Sequence, residues 1–168
     1  MNKPPFRITL LNAAVDRSIF DSGTAPLDAY FQRQVTQDIR RRVTACFVAL
    51  TDENCVAGYY TLASTSMLLA ELPAGVIKKL PRYPLVPAVR MGRLAVDREH
   101  QGGGLGGALL ADALDRATRA EIAAFALLVD AKDAAAAAFY RHHRFIALPS
   151  STMTLFLPLA TSIRLMDD

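Results

Sequence analysis

The sequence predicts a mixed α/β fold in one domain. Short apolar runs typical of buried strands alternate along the chain with longer amphipathic segments typical of helices. Near the end, residues 152–157 alternate Thr or Phe with Met or Leu, which is the period of a strand. A chain of 168 residues is about the size of one domain, and its hydrophobic content of 52% is enough for a core. We therefore expect residues 1–168 to form a single domain.

The organisation at the start of the chain is predicted to be βααβ-like. The expected elements are a strand at 6–11, a helix at 27–42, strands at 45–50 and 56–65, and a short helix within 67–80. Thr51-Asp-Glu-Asn54 has the residue types and the length of a hairpin turn between two of these strands. Pro73 and Gly75 interrupt the last segment, which has the character of an insert that shapes a substrate site.

The second half alternates strands and helices. The expected elements are a strand at 89–96, a helix at 105–118, a buried strand at 123–129, a helix at 134–143, and strands at 144–148 and 152–157. The chain has no internal repeat and no long low-complexity tract. One mixed domain accounts for the whole pattern.

The glycine-rich run after the predicted strand 89–96 is the most informative segment. The polar stretch Asp97-Arg-Glu-His-Gln101 separates that strand from Gly102-Gly-Gly-Leu-Gly-Gly107, which opens a predicted helix. The first N–H groups of a helix have no partner inside it, so they suit an anion. Glycine permits positive φ and lets a phosphate approach the main chain closely. This pattern predicts a pyrophosphate-binding loop.

Two other interpretations of the run remain. Gly102, Gly104 and Gly107 also satisfy the dinucleotide pattern G-x-G-x-x-G, although its first glycine normally follows the strand directly. The run is also compatible with a plain structural turn. No Lys-Ser or Lys-Thr follows, which excludes a P-loop.

A third pattern in the same run is more specific. Gln101-x-x-Gly104-x-Gly106, after a strand ending Leu94-Ala95-Val96, resembles the acetyl-coenzyme A motif of the GNAT superfamily of N-acetyltransferases. The resemblance implies the GNAT fold: a mixed, mostly antiparallel central sheet of six to seven strands flanked by about four helices. It also implies acetyl-CoA as cosubstrate and no metal. The main chain of Leu94, Ala95 and Val96 would pair with the pantetheine arm.

The same resemblance assigns the pyrophosphate to the loop. The residues implied as its ligands are Gln101, Gly102, Gly103, Gly104, Leu105, Gly106 and Gly107.

A second motif lies on the predicted helix 134–143. Ala136-x-x-Phe139-Tyr140, followed by Phe145, resembles the GNAT element beside the coenzyme thioester. The resemblance implies that Tyr140 is catalytic and protonates the departing thiolate, with Phe139 beside the coenzyme. A helical tyrosine taken alone is more often a packing residue with its hydroxyl in water. Arg144 stands where the family has glycine, so the sequence leaves open whether the following turn adopts positive φ.

Several further motifs narrow the resemblance. Phe20-Asp-Ser-Gly23, Leu27-Asp28-x-Tyr30-Phe31, Gly92-Arg-Leu-Ala-Val-Asp97 and Met153-Thr-Leu-Phe-Leu-Pro158 occur in the order found in the GNAT toxins of bacterial toxin-antitoxin operons. Ser22 is a departure, because cysteine is usual there. The resemblance implies acetylation of the α-amine of aminoacyl-tRNA, a ribbon-helix-helix antitoxin as partner, and operator DNA bound through that antitoxin. A homodimer is compatible with the sequence, which does not specify the oligomeric state.

The basic residues are compatible with a tRNA substrate. The formal net charge is +3, and arginines and lysines cluster around the motifs above. Arg93, Arg90 and Lys78 are the predicted substrate-binding residues, since cations that hold tRNA phosphates would give salt-sensitive affinity. Arg93 could contact either the coenzyme or the acceptor end of the tRNA. The alternative for each of the three is an ordinary surface or helix-terminal charge, or for Arg93 an ion pair across the sheet.

Two other functions stay open at this point. One is a GNAT enzyme that acetylates a small amine or a protein amino terminus. The other is a catalytically idle partner in a DNA-binding repressor complex, against which the intact glycine loop and Tyr140 argue. A free-tRNA competition assay separates the first alternative from the aminoacyl-tRNA reading.

Other features of the sequence indicate where the protein acts and which metal or thiol chemistry is not expected. No apolar run is as long as a membrane span, and the amino terminus lacks the apolar stretch of a signal peptide, so we expect a cytoplasmic protein. Cys46 and Cys55 lie in apolar runs and are expected to be buried, reduced thiols. His142 and His143 are adjacent, so they cannot grip one ion in the i, i+4 manner of helical zinc sites.

Overall fold

The strands of the protein form one mixed sheet. The computed structural model describes residues 5–167, the last three by main chain only, and over these residues there are seven strands: β1 Arg7–Leu10, β2 Ala45–Leu50, β3 Val56–Leu68, β4 Leu85–Val96, β5 Ala126–Asp130, β6 Ile146–Leu148 and β7 Ser151–Pro158. Their order is β1-β2-β3-β4-β5-β7-β6. β4 and β5 are parallel, whereas the β1–β2, β2–β3, β5–β7 and β6–β7 pairs are antiparallel. The mixed, mostly antiparallel sheet predicted from the sequence is confirmed.

The helices follow the predicted order with one addition. They are α1 Ala25–Ala29, α2 Val35–Arg40, α3 Ala74–Ile77, α4 Leu105–Arg119, α5 Ala134–His142 and α6 Leu159–Asp167. A π turn, Tyr30–Gln34, joins α1 to α2, so the helix expected over 27–42 is divided into three segments. Helix α6 is the addition, since it does not correspond to any predicted element. Between residues 5 and 167, the helices are too short or too polar to cross a lipid bilayer.

Internal contacts divide the chain into two compact units. The first unit comprises Met1–Ala63 and Gly92–Ala113, and the second comprises Ser64–Met91 and Leu114–Asp168. β3, β4 and α4 each begin in one unit and end in the other. The single-domain organisation stays a prediction.

An aromatic cluster forms the core of the first unit. The rings of Phe31 and Tyr59 are stacked with centroids 4.3 Å apart, and Phe20 packs edge-on against both. The Tyr59 hydroxyl donates to the Leu27 carbonyl at 2.7 Å, which satisfies its polar end inside the core. These contacts fix α1 and the π turn against β3.

In the same unit, α4 packs close to the sheet because Gly58 has no side chain. A Cβ at Gly58 would lie 2.9 Å from both the Ala95 carbonyl oxygen and Leu109 Cδ1, closer than real Cβ atoms approach. Leu105 and Leu109 are buried on this face of α4. The first turn of α4 is thereby held at the end of β4, which fixes the position of the glycine loop between them.

In the second unit, β5 is the most buried strand. Ala126, Leu127, Leu128 and Val129 are all buried, because β5 pairs with β4 from Ala88↔Ala126 to Met91↔Val129 and with β7 on its other side. This confirms the buried strand predicted around 123–129. β4 begins four residues earlier than predicted. It includes Pro87, which precedes the β4–β5 ladder that starts at Ala88 and whose carbonyl accepts from the Phe125 N–H at 2.8 Å.

One expectation about the cysteines is wrong. Cys46 is buried in β2 as expected, but Cys55 is exposed. Cys55 precedes β3 and belongs to the hairpin turn, where its N–H donates to the Thr51 hydroxyl at 3.1 Å. The apolar run that suggested burial begins one residue later.

Candidate active site

The turn after β4 is fastened to the segment before α1, within the first unit. Asp97 accepts from the Glu99 N–H at 3.0 Å, which starts the 3₁₀ turn Arg98–His100, and also from the Asp21 N–H at 3.0 Å. The Arg98 N–H donates to the Asp21 carbonyl at 2.8 Å, and its guanidinium forms an ion pair with the Asp21 carboxylate at 3.1 Å. The polar stretch between β4 and the glycines therefore forms an ordered turn, and hydrogen bonds and an ion pair hold this turn against Asp21.

Gln101 adds two further hydrogen bonds between this turn and its surroundings. Its Nε2 donates to the main-chain carbonyls of Val96 and Ser22, each at 2.9 Å. The two amide hydrogens are both used by the protein. Gln101 thus holds the entry of the glycine loop in place.

The glycines themselves leave open space beside the main chain. Gly102 and Gly104 have φ of +83° and +86°, a conformation that side-chain-bearing residues rarely adopt. A Cβ at Gly102, Gly103 or Gly104 would meet no heavy atom within 4 Å. The protein does not fill this space, so glycine here keeps the loop conformation and leaves the backbone accessible to a ligand.

The loop leads directly into the amino terminus of α4. Leu105 is the first helical residue, and the first bond from the helix back into the loop is donated by the Ala108 N–H to the Gly104 carbonyl at 3.1 Å. The N–H groups of Leu105, Gly106 and Gly107 precede any possible intrahelical acceptor. Together with the helix dipole of a 15-residue helix, they suit an anion such as pyrophosphate.

The end of β4 offers main-chain groups next to this loop. The ladder between β4 and β5 runs from Ala88 to Met91, and Leu94, Ala95 and Val96 lie beyond it along β4. The side chain of Ala95 is buried in the aromatic core, whereas Leu94 and Val96 are half-buried. The Val96 carbonyl accepts the Gln101 amide.

Arg93 lies on the same strand, against an aromatic ring. Its guanidinium carbon is 3.4 Å from the centroid of the Tyr30 ring, and the Tyr30 hydroxyl donates to Asp38 at 2.7 Å. Burial, followed by the bond to Asp38, raises the pKa of Tyr30 above its usual value. Arg93 is therefore stacked on Tyr30, and the ion pair across the sheet that the sequence left open is not what holds it. Nothing in the composition or spacing pointed to Tyr30 and Asp38 as its supports.

Tyr140 belongs to the second unit, on the inner face of α5. It is buried, with 7% of its surface exposed, and its ring packs against Phe139 and Phe145 at centroid distances of 5.2 and 5.5 Å. Burial raises the pKa of Tyr140 to about 12. Its hydroxyl is consequently protonated at neutral pH and is a hydrogen-bond donor there. Phe139 is half-buried and also contacts His143.

The turn after Tyr140 keeps the geometry that the family's glycine would give. Arg144 has φ of +71°, the Phe145 N–H donates to the Tyr140 carbonyl at 3.1 Å, and the Arg144 N–H donates to the Arg141 carbonyl at 2.9 Å. This pair of bonds, with the Tyr140–Phe145 ring contact, is a Schellman motif with arginine in the left-handed position. The open question raised by Arg144 is settled: the turn forms without glycine.

The other two predicted substrate-binding residues also lie in the second unit. Arg90 forms an ion pair with Asp130, whose other carboxylate oxygen accepts from the Thr154 hydroxyl at 3.0 Å. Both border a pocket of about 450 Å³ lined by residues of β3, β4, β5 and β7. Lys78 is exposed at the carboxyl end of α3. A role for either cation in substrate binding stays a prediction, as do the roles of all the other predicted site residues.

Comparison with known proteins places the fold and the loop in a family. The sequence profile described as "Acetyltransferase (GNAT) family" matches residues 10–145. This range contains the glycine loop and Tyr140. The chain belongs to the GNAT acetyltransferase family, and it is accordingly an acetyl-CoA-dependent N-acetyltransferase.

Two relatives are similar over nearly the whole chain. A tRNA-acetylating toxin of Mycobacterium tuberculosis is 36% identical over 160 residues, which cover 94% of this chain and 95% of the relative. A probable toxin TacT of Sinorhizobium fredii is 30% identical over 161 residues, covering 90% and 89%.

Solved structures of toxins have the same fold. AtaT complexed with acetyl-methionyl-tRNAfMet superposes with a TM-score of 0.88 at 32% identity, covering 97% of this chain and 99% of that one. AtaTR bound with acetyl-CoA gives 0.84 at 29% identity, covering 96% and 98%. The AtaT–AtaR complex bound to DNA gives 0.77 at 26% identity, covering 95% and 99%.

Proposed function

We propose that this protein is a toxin that transfers the acetyl group of acetyl-CoA to the α-amine of an aminoacyl-tRNA. The single observation that carries the proposal is the glycine loop, with its two positive-φ glycines and open space, leading into α4 in a chain similar throughout to tRNA-acetylating toxins. Acetylation would remove the nucleophile that peptide-bond formation requires, which is why the modified tRNA would halt translation. Since charged tRNA is a cytoplasmic molecule, the enzyme would act in the cytoplasm.

The residues of the loop fit the coenzyme. Bound acetyl-CoA supplies the acetyl group as a thioester. The N–H groups of Gly102 to Gly107 would hold its pyrophosphate, and the main chain of Leu94, Ala95 and Val96 would pair with its pantetheine arm. Leu105 is buried, so it would contribute its N–H and not its side chain. Gln101 would act indirectly, because both of its amide hydrogens are already donated to Val96 and Ser22.

Tyr140 is proposed as the general acid. The amine nitrogen would form a bond to the acetyl carbonyl carbon and the carbon–sulfur bond would break, with Tyr140 delivering its proton to the departing sulfur. The proton that the nitrogen loses would pass to water, and the Tyr140 phenolate would take up a proton again before the next turnover. Burial keeps the Tyr140 hydroxyl protonated at neutral pH, which a general acid requires before it donates. Phe139 would pack beside the coenzyme and fix the ring of Tyr140.

No strong base is needed for the acceptor. An α-amino group has an unperturbed pKa of about 7.7–8.0, so an appreciable fraction is already neutral near pH 7.5. Arg93, Arg90 and Lys78 are proposed to hold the tRNA. Of these, Arg93 has the strongest support, because Arg90 is already paired with Asp130.

An antitoxin is the proposed partner. Solved neighbours include a toxin bound to the C-terminus of its antitoxin and a toxin–antitoxin complex bound to DNA. We propose a ribbon-helix-helix antitoxin for this chain, and operator DNA bound through it. We also propose that the toxin forms a homodimer.

A substrate panel tests the proposed function. Purified protein is incubated with radiolabelled acetyl-CoA and, separately, a pool of aminoacyl-tRNA, the same tRNA uncharged, free amino acids, and peptides with free amino termini. We expect label on the aminoacyl-tRNA and none on uncharged tRNA. Transfer to peptides or free amino acids in preference to charged tRNA would refute the proposal in favour of a small-amine or amino-terminal acetyltransferase.

A further inference from the structure

Arg93 is held by a chain of three side chains within the first unit. Its guanidinium lies over the Tyr30 ring at 3.4 Å, the Tyr30 hydroxyl donates to Asp38 Oδ2 at 2.7 Å, and the Gln34 amide donates to Asp38 Oδ1 at 3.2 Å. Tyr30 is buried and Arg93 half-buried. The Tyr30 ring therefore holds the plane of the guanidinium on one side, and this ring cannot rotate away without breaking the hydrogen bond from its hydroxyl to Asp38.

The donors of this guanidinium are left for a ligand. An arginine has five N–H donors in a planar fork, which matches the oxygens of a phosphate. Across residues 5–167, Arg93 has a ring contact with Tyr30 but no hydrogen bond or ion pair that would use its donors. An oriented, half-buried cation with unused donors indicates an anion-binding position.

We propose that Tyr30 and Asp38 are positioning residues that hold Arg93 as a phosphate-binding fork for the acceptor end of the tRNA. This inference rests on the function proposed above. Tyr30 supplies the face on which the guanidinium stacks, and Asp38 fixes the ring and attracts the cation. The fork then binds a backbone phosphate with its outward edge.

The position of Arg93 on β4 favours the tRNA over the coenzyme as the source of that phosphate. Arg93 precedes Val96 by three residues, a rise of roughly 10 Å along a strand, directed away from the glycine loop. It shares a strand face with Ala95, whose side chain lies in the core beneath α1 and α2. Exposed arginines lie in or just after the helical segment that carries Tyr30 and Asp38, and they would extend the path of the phosphates: Arg33, Arg40, Arg41 and Arg42.

The test measures the affinity for aminoacyl-tRNA of variants in which Tyr30 is replaced. Tyr30→Leu removes the stacking face, and we expect the Kd for aminoacyl-tRNA by filter binding, and the KM for acetyl transfer, to rise about 3- to 30-fold, the range of a partly desolvated cation–π contact. kcat and the Kd for acetyl-CoA should stay within about twofold. Tyr30→Phe keeps the face and should change the tRNA Kd by less than Tyr30→Leu does.

A double-mutant cycle separates positioning from general damage to the fold. In an Arg93→Ala background, Tyr30→Leu should weaken tRNA binding no further, because the cation that it positions is gone. Tyr60→Phe is the matched control: it also removes a phenol that donates to a carboxylate, Asp112, but Tyr60 does not support Arg93. Arg93→Lys keeps the charge without the planar fork and provides a variant that leaves Tyr30 untouched if Tyr30→Leu fails to fold; it too should weaken tRNA binding.

The outcomes distinguish this inference from the proposed function. An unchanged tRNA Kd in both Tyr30→Leu and Arg93→Lys, or equal losses from Tyr30→Leu with and without Arg93, overturns the inference even if the enzyme acetylates aminoacyl-tRNA. A weakened Kd for acetyl-CoA with unchanged tRNA affinity overturns it as well, by assigning Arg93 to the coenzyme. Failure of the wild type to acetylate any aminoacyl-tRNA refutes the proposed function, while the binding measurement still judges the role of Tyr30.

Discussion

The side-chain amide of Gln101 donates a hydrogen bond to the main-chain carbonyl of Ser22, which is 79 residues earlier in the chain, at 2.9 Å. The same nitrogen donates to the Val96 carbonyl at 2.9 Å, so a single side chain joins the end of β4, the entry of the glycine loop and the segment before α1. The glutamine of the motif is thereby a support for the loop.

Replacing Gln101 by alanine is expected to weaken acetyl-CoA binding through loop order. Two hydrogen bonds, each worth about 0.5–1.5 kcal/mol net, are lost, and we expect the Kd from calorimetry to rise about fivefold to tenfold. Gln101→Glu should be at least as damaging, because a carboxylate cannot donate to either carbonyl. Undiminished affinity in both variants would show that the loop holds its conformation without this clamp.

Substitutions at Gly103 and Gly104 distinguish the effect of glycine on the loop conformation from its effect on access of the ligand to the main chain. Gly104→Ala places a side chain at φ of +86°, which should lower the free energy of unfolding by about 1–2 kcal/mol and weaken acetyl-CoA binding. Gly103→Ala has neither a positive φ nor a neighbour within 4 Å of the new Cβ, so the free energy of unfolding should change by less than about 0.5 kcal/mol. Any loss of acetyl-CoA affinity in Gly103→Ala then reports that the coenzyme occupies this space. If Gly103→Ala and larger residues there bind acetyl-CoA normally, the phosphates lie elsewhere.

Removing the hydroxyl of Tyr140 should slow chemistry and spare binding. For Tyr140→Phe we expect kcat to fall about 10²- to 10⁴-fold, the usual contribution of a general acid, with the Kd for acetyl-CoA unchanged. Single-turnover transfer at saturating substrates measures the chemical step. A kcat equal to that of the wild type would reduce Tyr140 to a packing residue.

The raised pKa of Tyr140 also predicts how stability depends on alkaline pH. The unfolded tyrosine ionises near pH 10, whereas burial holds the folded group neutral to about 12, so its contribution is complete below pH 10 and is lost as pH rises toward 12. At pH 11 the loss is about 1 kcal/mol relative to pH 9. Urea unfolding at the two pH values should therefore show a smaller decline for Tyr140→Phe than for the wild type. An equal decline would place the hydroxyl in water.

Arginine in the left-handed position after α5 carries a conformational cost. Arg144→Gly should raise the free energy of unfolding by about 0.5–1 kcal/mol, since relief of about 1–2 kcal/mol of strain exceeds the entropy that glycine adds to the unfolded chain. Arg141→Gly is the control, because it makes the same exchange at an exposed helical position and should destabilise by about 1 kcal/mol. The same sign for both variants would contradict the strain at Arg144.

Elements with strong periodicity were predictable from the sequence. β2 was placed to the residue, and α4 and α5 to within one residue at one end, because an apolar run bounded by turn residues or a capped amphipathic helix is determined locally. The π turn at Tyr30–Gln34 and the early start of β4 were not predicted, since both depend on packing against other segments. Helix α6 lacked a clear boundary after Pro158 and was missed.

For the candidate site, motifs located the residues but not their supports. The glycine loop was recognisable as a glycine-rich run before a helix, whereas Tyr140 was singled out only by its resemblance to a family motif, and the roles of both stay predictions. The positioning contacts of Gln101 and Arg93 were not predictable, because Ser22 and Tyr30 come from segments more than 60 residues away. The positive φ of Arg144 was left open, since the sequence alone does not say whether a Schellman turn will force a non-glycine residue into that region.

The most direct test of the central claim identifies the acetylated product. Aminoacyl-tRNA treated with acetyl-CoA and enzyme is digested to its terminal adenosine ester and analysed by mass spectrometry, with wild type and Tyr140→Phe compared under the same conditions. We expect N-acetylaminoacyl-adenosine with the wild type and little or none with the variant. Unmodified aminoacyl-adenosine from the wild type, in a preparation that binds acetyl-CoA normally, would contradict it.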